Sequence, residues 1–496
     1  MTARSELASR PAFRTRATSS LARVPESSPP APVFLLASPG DTPDLLMQAL
    51  SAAEPPAAAV PLVALAGSDA GSGSVAMLAG AFPDARFVFL AGGEEEGAPA
   101  ELAELAPERW CRIDRPRLLA DPRSELERVC AFAGRPYDQA LLTPVEAAAR
   151  ASRMEAQGDS PYASVSTASF AELVQESGGS VLVSTYQTNR VVSVRVRDGA
   201  LNTHFREFEK PMGIAVAEGR IALGTRTEVW DLRDMPAAAR TLEPAGAHDA
   251  CYLPRNRHVT GDIAVHDLGF AGGELWIVAT AFSCLATLDA EHSFLPRWTP
   301  PFITALGPED RCHLNGMAVI DDRVAYVTAF GTTDEARGWR PGKATDGVLI
   351  DVAASQVAIG GLSMPHSPRW HKGRLWLLES GRGTLCLADP AGGRVETVAE
   401  LPGFTRGLAF AGDTALVGLS QIRESSTFGE LPVTSRLRER QSGVWMVDLR
   451  SGAVTGFLRF DDLVQEIFDV AVLPGARFPE IAEATGLTTA RSYALP

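Results

Sequence analysis

Six segments of this chain begin alike. PMGIAV (211–216), TGDIAV (260–265), LNGMAV (314–319), PHSPRW (365–370), TRGLAF (405–410) and IFDVAV (467–472) each open a short apolar run. Most are followed, after a turn, by a second run: RIALGT, ELWIVAT, RVAYVTAF, RLWLLES and TALVGLS. A third then ends on aspartate, as in EVWDL, CLATLD, VLIDV, LCLAD and VWMVDL. Self-similarity at about fifty residues, built from Val-, Ile-, Leu- and Trp-rich strands between Gly and Asp turns, predicts a mainly β fold, a β-propeller. Five blades are complete in sequence. The sixth opens at IFDVAV and lacks outer strands, which SVLVSTYQTNRVVSVRV (180–196) supplies from the other end of the domain. Joining the two ends leaves no open blade edge. The count is six blades, or seven if the insertion at 233–260 holds a further strand pair.

In a propeller the first strand of each blade lines a shared channel, so the residues that open it meet at one mouth. The repeat register gathers Lys210, Met212, Thr260, Asp262, His313, Asn315, His366, Arg406, Glu466 and Asp469 there. Buried charge is costly unless it is paired or ligated, so such a set asks for a partner. His313, His366 and Asp262 are the candidate metal ligands, and mixed N/O ligation suits zinc, iron or manganese better than calcium. Asp469 and Glu466 are the candidate acid/base groups, with Arg406 as an anion clamp. Asn315, His258, Lys210 and Thr260 are the candidate substrate contacts. A metal there would polarise a carbonyl or activate water, which is hydrolase or lyase chemistry on a small, anionic metabolite. Two alternatives use the same residues: a propeller that binds a ligand or a protein without chemistry, and a polar plug in which Arg406 neutralises Asp262 and Asp469. Cys312 adjoins His313, but neighbours on a strand point to opposite faces, which disfavours a Cys–His dyad. His248 and Asp249 sit on the long insertion GAHDACYLPRNRH, a candidate lid, and Trp298 and Trp339 are candidate aromatic walls.

The N-terminal part has another period. PVFLLASP and ARFVFLAG read as strands, DLLMQALSAAE and DPRSELERVCAFAG as helices. Asp121 stands as the N-cap of the latter helix, Pro122 in its first turn and Gly134 near its end. This β/α alternation predicts a small parallel-sheet domain over residues 31–150. VFLLASPGDTPDLL, FPDARFVFLAGG and LLADPRSELERVCAFAGRPYD resemble, in that order, segments of the sulfotransferase family. The resemblance implies a truncated P-loop-like α/β domain whose loop would cradle a phosphosulfate donor on backbone amides at a helix N-terminus. The loop is degenerate. Gly40 stands where the family has arginine, Asp41 and Asp44 add negative charge, Pro43 removes an N–H, and Ala91 replaces the arginine after the second strand. Each change opposes binding of the phosphosulfate donor, and an inactive domain is the expectation, with sulfotransfer the weaker alternative. Residues 1–30 read as a disordered tail, 151–179 as a linker, 180–480 as the propeller and 481–496 as a C-terminal tail.

Composition bounds the partners. A formal charge of −14 opposes binding to a nucleic-acid backbone. No stretch approaches the roughly 18 apolar residues of a membrane helix. Six cysteines without a CxxC pair read as reduced thiols of a cytoplasmic protein. The expected partner is a small molecule or another protein. DACYLPRNRHVTGDIAVHDL, FSCLATLDAEHSFLPRWTPPFI, EDRCHLNGMAV, GLSMPHSPRW and LPGFTRGLAF resemble, in order over residues 165–490, a bacterial family of propeller-like proteins of unknown function. That resemblance implies the fold and no activity.

Overall fold

The computed structural model describes residues 33–37, 62–65, 83–91, 100–134, 162–421 and 431–494, with 75, 79, 136–138, 141–142 and 145–146 between them. The chain divides into two units, Met1–Glu146 and Ala147–Pro496.

In the second unit, tight turns set the architecture. Gly272–Gly273, Asp321–Asp322 and Lys372–Gly373 all hold positive φ, the conformation that matches a two-residue turn to the twist of its flanking strands. Each joins the first strand of a blade to the second. Blade 1 comprises Ile214–Ala217, Arg220–Gly224, Glu228–Asp234 and Ala250–Val259. Blade 2 is Val265–Ala271, Glu274–Ala279, Cys284–Thr287 and Leu295–Trp298. Blade 3 is Leu314–Ile320, Arg323–Ala329, Gly347–Asp351 and Gln356–Leu362. Blade 4 is Pro365–His371, Arg374–Glu379, Thr384–Asp389 and Arg394–Glu400, and blade 5 is Phe404–Ala411, Thr414–Ser420, Ser442–Asp448 and Val454–Phe460. Blade 6 closes the ring. Its inner strand Asp469–Leu473 pairs with Ser180–Thr185, followed by Arg190–Arg197 and Ala200–Glu207.

Every inner strand contacts the inner strand of the next blade, and the last, Asp469–Leu473, contacts the first, Ile214–Ala217. A six-bladed β-propeller results. The insertion at 233–260 forms the helix Pro236–Ala239 and the long outer strand of blade 1, so it adds no seventh blade. Each of the six seams holds its own apolar cluster. At the closing seam Leu182 and Val191 of blade 6 meet Ile214, Ile221 and Leu223 of blade 1.

Two further segments join the propeller, one ahead of its expected start at 180 and one across its expected end at 480. Ser164–Ser166, expected as linker, pairs with Val454–Phe460 as a fifth strand of blade 5, and Phe170 of the helix Ala168–Glu176 is buried in the seam between blades 5 and 6. Pro479–Ile481 adds a parallel fifth strand to blade 1, and Leu487–Ala490 is helical where a tail was expected. Short strands that add only three pairs leave little periodicity to read in sequence.

The described part of the first unit is a parallel sheet in the order Leu62–Leu65, Val33–Ala37, Arg86–Ala91, Trp110–Asp114. The helix Pro122–Ala133 has the caps its sequence indicates: the Asp121 carboxylate accepts from Ser124 N–H at 3.3 Å, and Gly134 ends it at φ 68°. Residues 1–30 and the loop positions Gly40, Asp41, Pro43 and Asp44 lie outside the described residues.

Candidate functional site

The inner strands share a register that can be counted back from their first turn, or from the closing pair Leu473–Ser180 in blade 6. Four residues before that point stand Gly213, Asp267, Gly316, Ser367, Gly407 and Asp469. Glycine and a polar residue alternate round the ring. The polar members tie their blade to the next. Asp469 Oδ2 accepts from Ile214 N–H (2.9 Å), Asp267 Oδ2 from Met317 N–H (2.9 Å) and Ser367 Oγ from Gly407 N–H (3.1 Å). Glycine at the other positions lets the next backbone come close. A Cβ on Gly213 would lie 2.9 Å from Asp267 Cα, and one on Gly407 2.6 Å from Val470 N. The axis therefore repeats in blade pairs, with a pseudo-threefold character.

This register moves one predicted site residue. TGDIAV imitates PMGIAV in sequence, but the inner strand of blade 2 begins five residues later, and Asp267 rather than Asp262 occupies the axial position. Asp262 is half exposed and faces Arg226 at 3.5 Å. The signal was available: DLGFA-GG-ELWIV has the same length to its turn as GIAVA-EG-RIALG.

Arg369 lies on the axis between two carboxylates. Its guanidinium grips Asp267 bidentately at 2.7 and 3.0 Å, reaches Asp469 at 3.8 Å and donates to Met317 O at 3.0 Å. Burial opposes its charge, but Asp267 and Asp469 raise its pKa above the ordinary arginine value. Asp469, expected as a base, is occupied: both oxygens accept backbone N–H groups, from Ile214 and Val470, and Arg369 stands beside them. Burial pushes its pKa upward against the pull of Arg369. Its geometry is that of a clamp. Asp267 was missed because it lies beyond the aligned hexapeptide TGDIAV, but Arg369 stood in plain view as the fifth residue of PHSPRW, where the structurally equivalent residues Ala215, Gly269, Ala318, Ala409 and Ala471 are all small.

One position earlier in the register come Met212, His266, Asn315, His366, Arg406 and Phe468. All but Met212 line, with Asp267, Ser367, Arg369 and Asp469, an axial cavity of about 10 Å³, room for a single water-sized group. Arg406 lays its guanidinium 3.5 Å over the Phe468 ring and has no hydrogen bond or ion pair among the described residues. Burial lowers its pKa to about 9, with Asp469 opposing at longer range. His266 meets the edge of Phe468 at 5.2 Å and of His313 at 5.0 Å. Burial first, then neighbouring positive groups, hold His266 and His366 well below the usual histidine range. Asn315 is buried and spends its amide on His313 O and Thr328 Oγ.

His313 stands one layer further out, at φ 50°, a conformation shared by Lys210, Ala264 and Met364 at the equivalent positions. It stacks on Phe330 at 4.4 Å, and its Nδ1 faces the Asp310 carboxylate at 2.9 Å, which also accepts from Trp339 Nε1. His366 meets the same Phe330 ring at 5.0 Å. The two imidazoles expected to converge therefore do so, with an aromatic ring between them. His313, His366 and Asp262 do not form a ligand set. Among the described residues no group of three or more His, Cys, Asp or Glu is arranged to hold a metal ion. Glu466 accepts a hydrogen bond from Tyr186 OH, and burial raises its carboxyl to about 7.

The remaining candidates sit apart. His258 is on the outermost strand of the four-stranded blade 1 core, bonded to Ser293 O at 2.9 Å, because the segment read as leading into the axis is an outer strand. Thr260 is buried in the connection between blades, donating to Gly261 O. Lys210 is half-buried, and its backbone N–H donates to Asn189 Oδ1. Trp339 is buried against Phe330 and His313 over the mouth, as an aromatic wall would be.

Fold and site define a closed six-bladed propeller whose axis is sealed by an Asp–Arg–Asp clamp beneath a small polar cavity. The family model for a domain of unknown function (DUF4915) matches residues 168–482, and the chain belongs to that family. None of the curated proteins matches it. Among solved structures, a chain of the crystal structure of a nidogen/laminin complex is similar with 8% identity and a TM-score of 0.37, over 60% of this chain and 98% of that one. The family match does not reach residues 31–150, and the comparisons lend no support to the sulfotransferase resemblance there. Among the described residues no helix is long and apolar enough to cross a membrane.

Proposed function

We propose that the propeller binds a small carboxylate-bearing molecule at the axial mouth, with Arg406 as its counter-ion. The observation that carries this is the state of Arg406. Its guanidinium faces the cavity, one face on Phe468, without an acceptor among the described residues. The nearby carboxylates are engaged elsewhere, Asp267 on Arg369 and Met317 N–H, Asp469 on Ile214 and Val470 N–H. A part-buried cation whose donors meet no acceptor among the described residues is costly, and a carboxylate answers both its charge and its paired N–H geometry. The Asp310–His313 pair and Glu466 stand at the rim as groups able to move a proton. Binding is the primary reading; the metal-assisted alternative lacks an assembled ligand set. The six buried, free cysteines support action in a reducing compartment such as the cytoplasm.

The test is calorimetric titration of the full chain at pH 7.5 with acetate, lactate, succinate and malate. At least one acid binds, and Arg406→Gln weakens it ten-fold or more while Arg406→Lys retains part of the affinity. Equal affinity in Arg406→Gln sinks the reading.

A further inference from the structure

The hydrogen atoms in the cavity say more about the ligand than the charge does. His266 Nδ1 lies 3.0 Å from Ala264 O. A carbonyl only accepts, so the proton is on Nδ1 and Nε2 carries a lone pair. His366 Nδ1 lies 3.1 Å from Met364 O and 2.7 Å from Ser380 Oγ, and Ser380 gives its own hydrogen to Thr405 O. The same tautomer follows. Both rings line the cavity, and among the described residues nothing bonds to either Nε2. Burial and the positive charge of Arg406 keep both imidazoles unprotonated.

The cavity thus presents open donors on Arg406 and open acceptors on His266 and His366, while Asn315 already gives one amide hydrogen to His313 O and accepts from Thr328 Oγ. A plain carboxylate satisfies the arginine but sets its oxygens against two lone pairs. A plain alcohol satisfies a histidine and leaves the cation bare. Phe468 brings the two kinds of group together, holding Arg406 on its face at 3.5 Å and His266 at its edge at 5.2 Å. We infer that the ligand is a small hydroxy acid held at the mouth, its carboxylate on the part-exposed Arg406 and only its water-sized hydroxyl entering the cavity to donate to Nε2 of His266 or His366. This rests on the carboxylate reading above and narrows it.

The experiment compares matched pairs on the full-length chain at pH 7.5: glycolate with acetate, lactate with propionate, malate with succinate, and lactate with lactamide. Each hydroxy acid is expected to bind at least ten-fold tighter than its deoxy partner, since a site built to accept from a hydroxyl rejects the analogue without it. His366→Phe and His266→Phe should shrink that ratio, and the wild-type pairs decide the matter even if a variant fails to fold. Equal binding of lactate and propionate overturns the hydroxyl assignment and leaves the carboxylate reading standing. Lactamide binding as tightly as lactate, or no binding by any acid, overturns the carboxylate reading and this inference with it.

Discussion

Glu466 and the axial histidines pull the pH dependence of stability in opposite directions. Glu466 has a carboxyl of about 7 against an ordinary 4.5, so between those values the folded chain holds more protons than the unfolded one. Its contribution is therefore present below about 4.5 and lost as pH rises through 7. His266 and His366, held well below 6.5, act the other way: the unfolded chain takes up protons below that value, and stability grows as pH rises toward it. Glu466→Gln keeps an acceptor for Tyr186 and removes the first effect. Thermal denaturation should show the variant gaining on the wild type from pH 4.5 to 7 and levelling off above. A difference that does not change with pH would mean that the Glu466 proton is not linked to folding.

At the scale of the element, a hydroxyl at the end of the second strand fastens blade to blade. Ser184 donates to Met212 O, Thr280 to Leu314 O at 2.6 Å, Ser380 to Thr405 O, and Ser420 to Ile467 O at 3.1 Å. Ser420 also accepts from Ile467 N–H at 3.0 Å, so it alone satisfies both polar groups of one buried residue. Ser420→Ala strands both, at a cost of about 1–3 kcal/mol. Urea denaturation measures this, and Ser420→Thr should recover most of the loss because it restores the hydroxyl. A neutral Ser420→Ala would show that water replaces the bond.

The whole propeller depends on a pairing between residues nearly three hundred positions apart, Asp469 with Ser184. Apolar seams all round the ring make closure cooperative, since opening one seam exposes an edge strand and its core together. Ending the chain after Gln465 removes Phe468 and Asp469 and leaves Ser180–Thr185 without its partner strand. Size exclusion should then find aggregate or expanded chain, whereas Leu182→Ala at the same seam should fold with a loss of about 2–5 kcal/mol. A monodisperse truncated protein would show that five blades and a fragment suffice.

Periodicity in the sequence determined the number of blades, the closure by strands from both ends, and the convergence of His313, Asn315, His366 and Arg406 on one region. These follow from local patterns, strand length and turn chemistry, repeated six times. What the sequence hid were decisions made between blades. Asp267 was masked by the look-alike TGDIAV, because only pairing with Glu274–Ala279 sets which run is the inner strand. His258 fell on an outer strand for the same reason. Arg369 pairs with Asp267, 102 residues away in the chain, and that contact, not the composition of either segment, releases Arg406 to face the cavity alone. Side chains on separate blades become partners only when the ring closes, so the tertiary structure alone decided which charges are spent and which remain to meet a ligand.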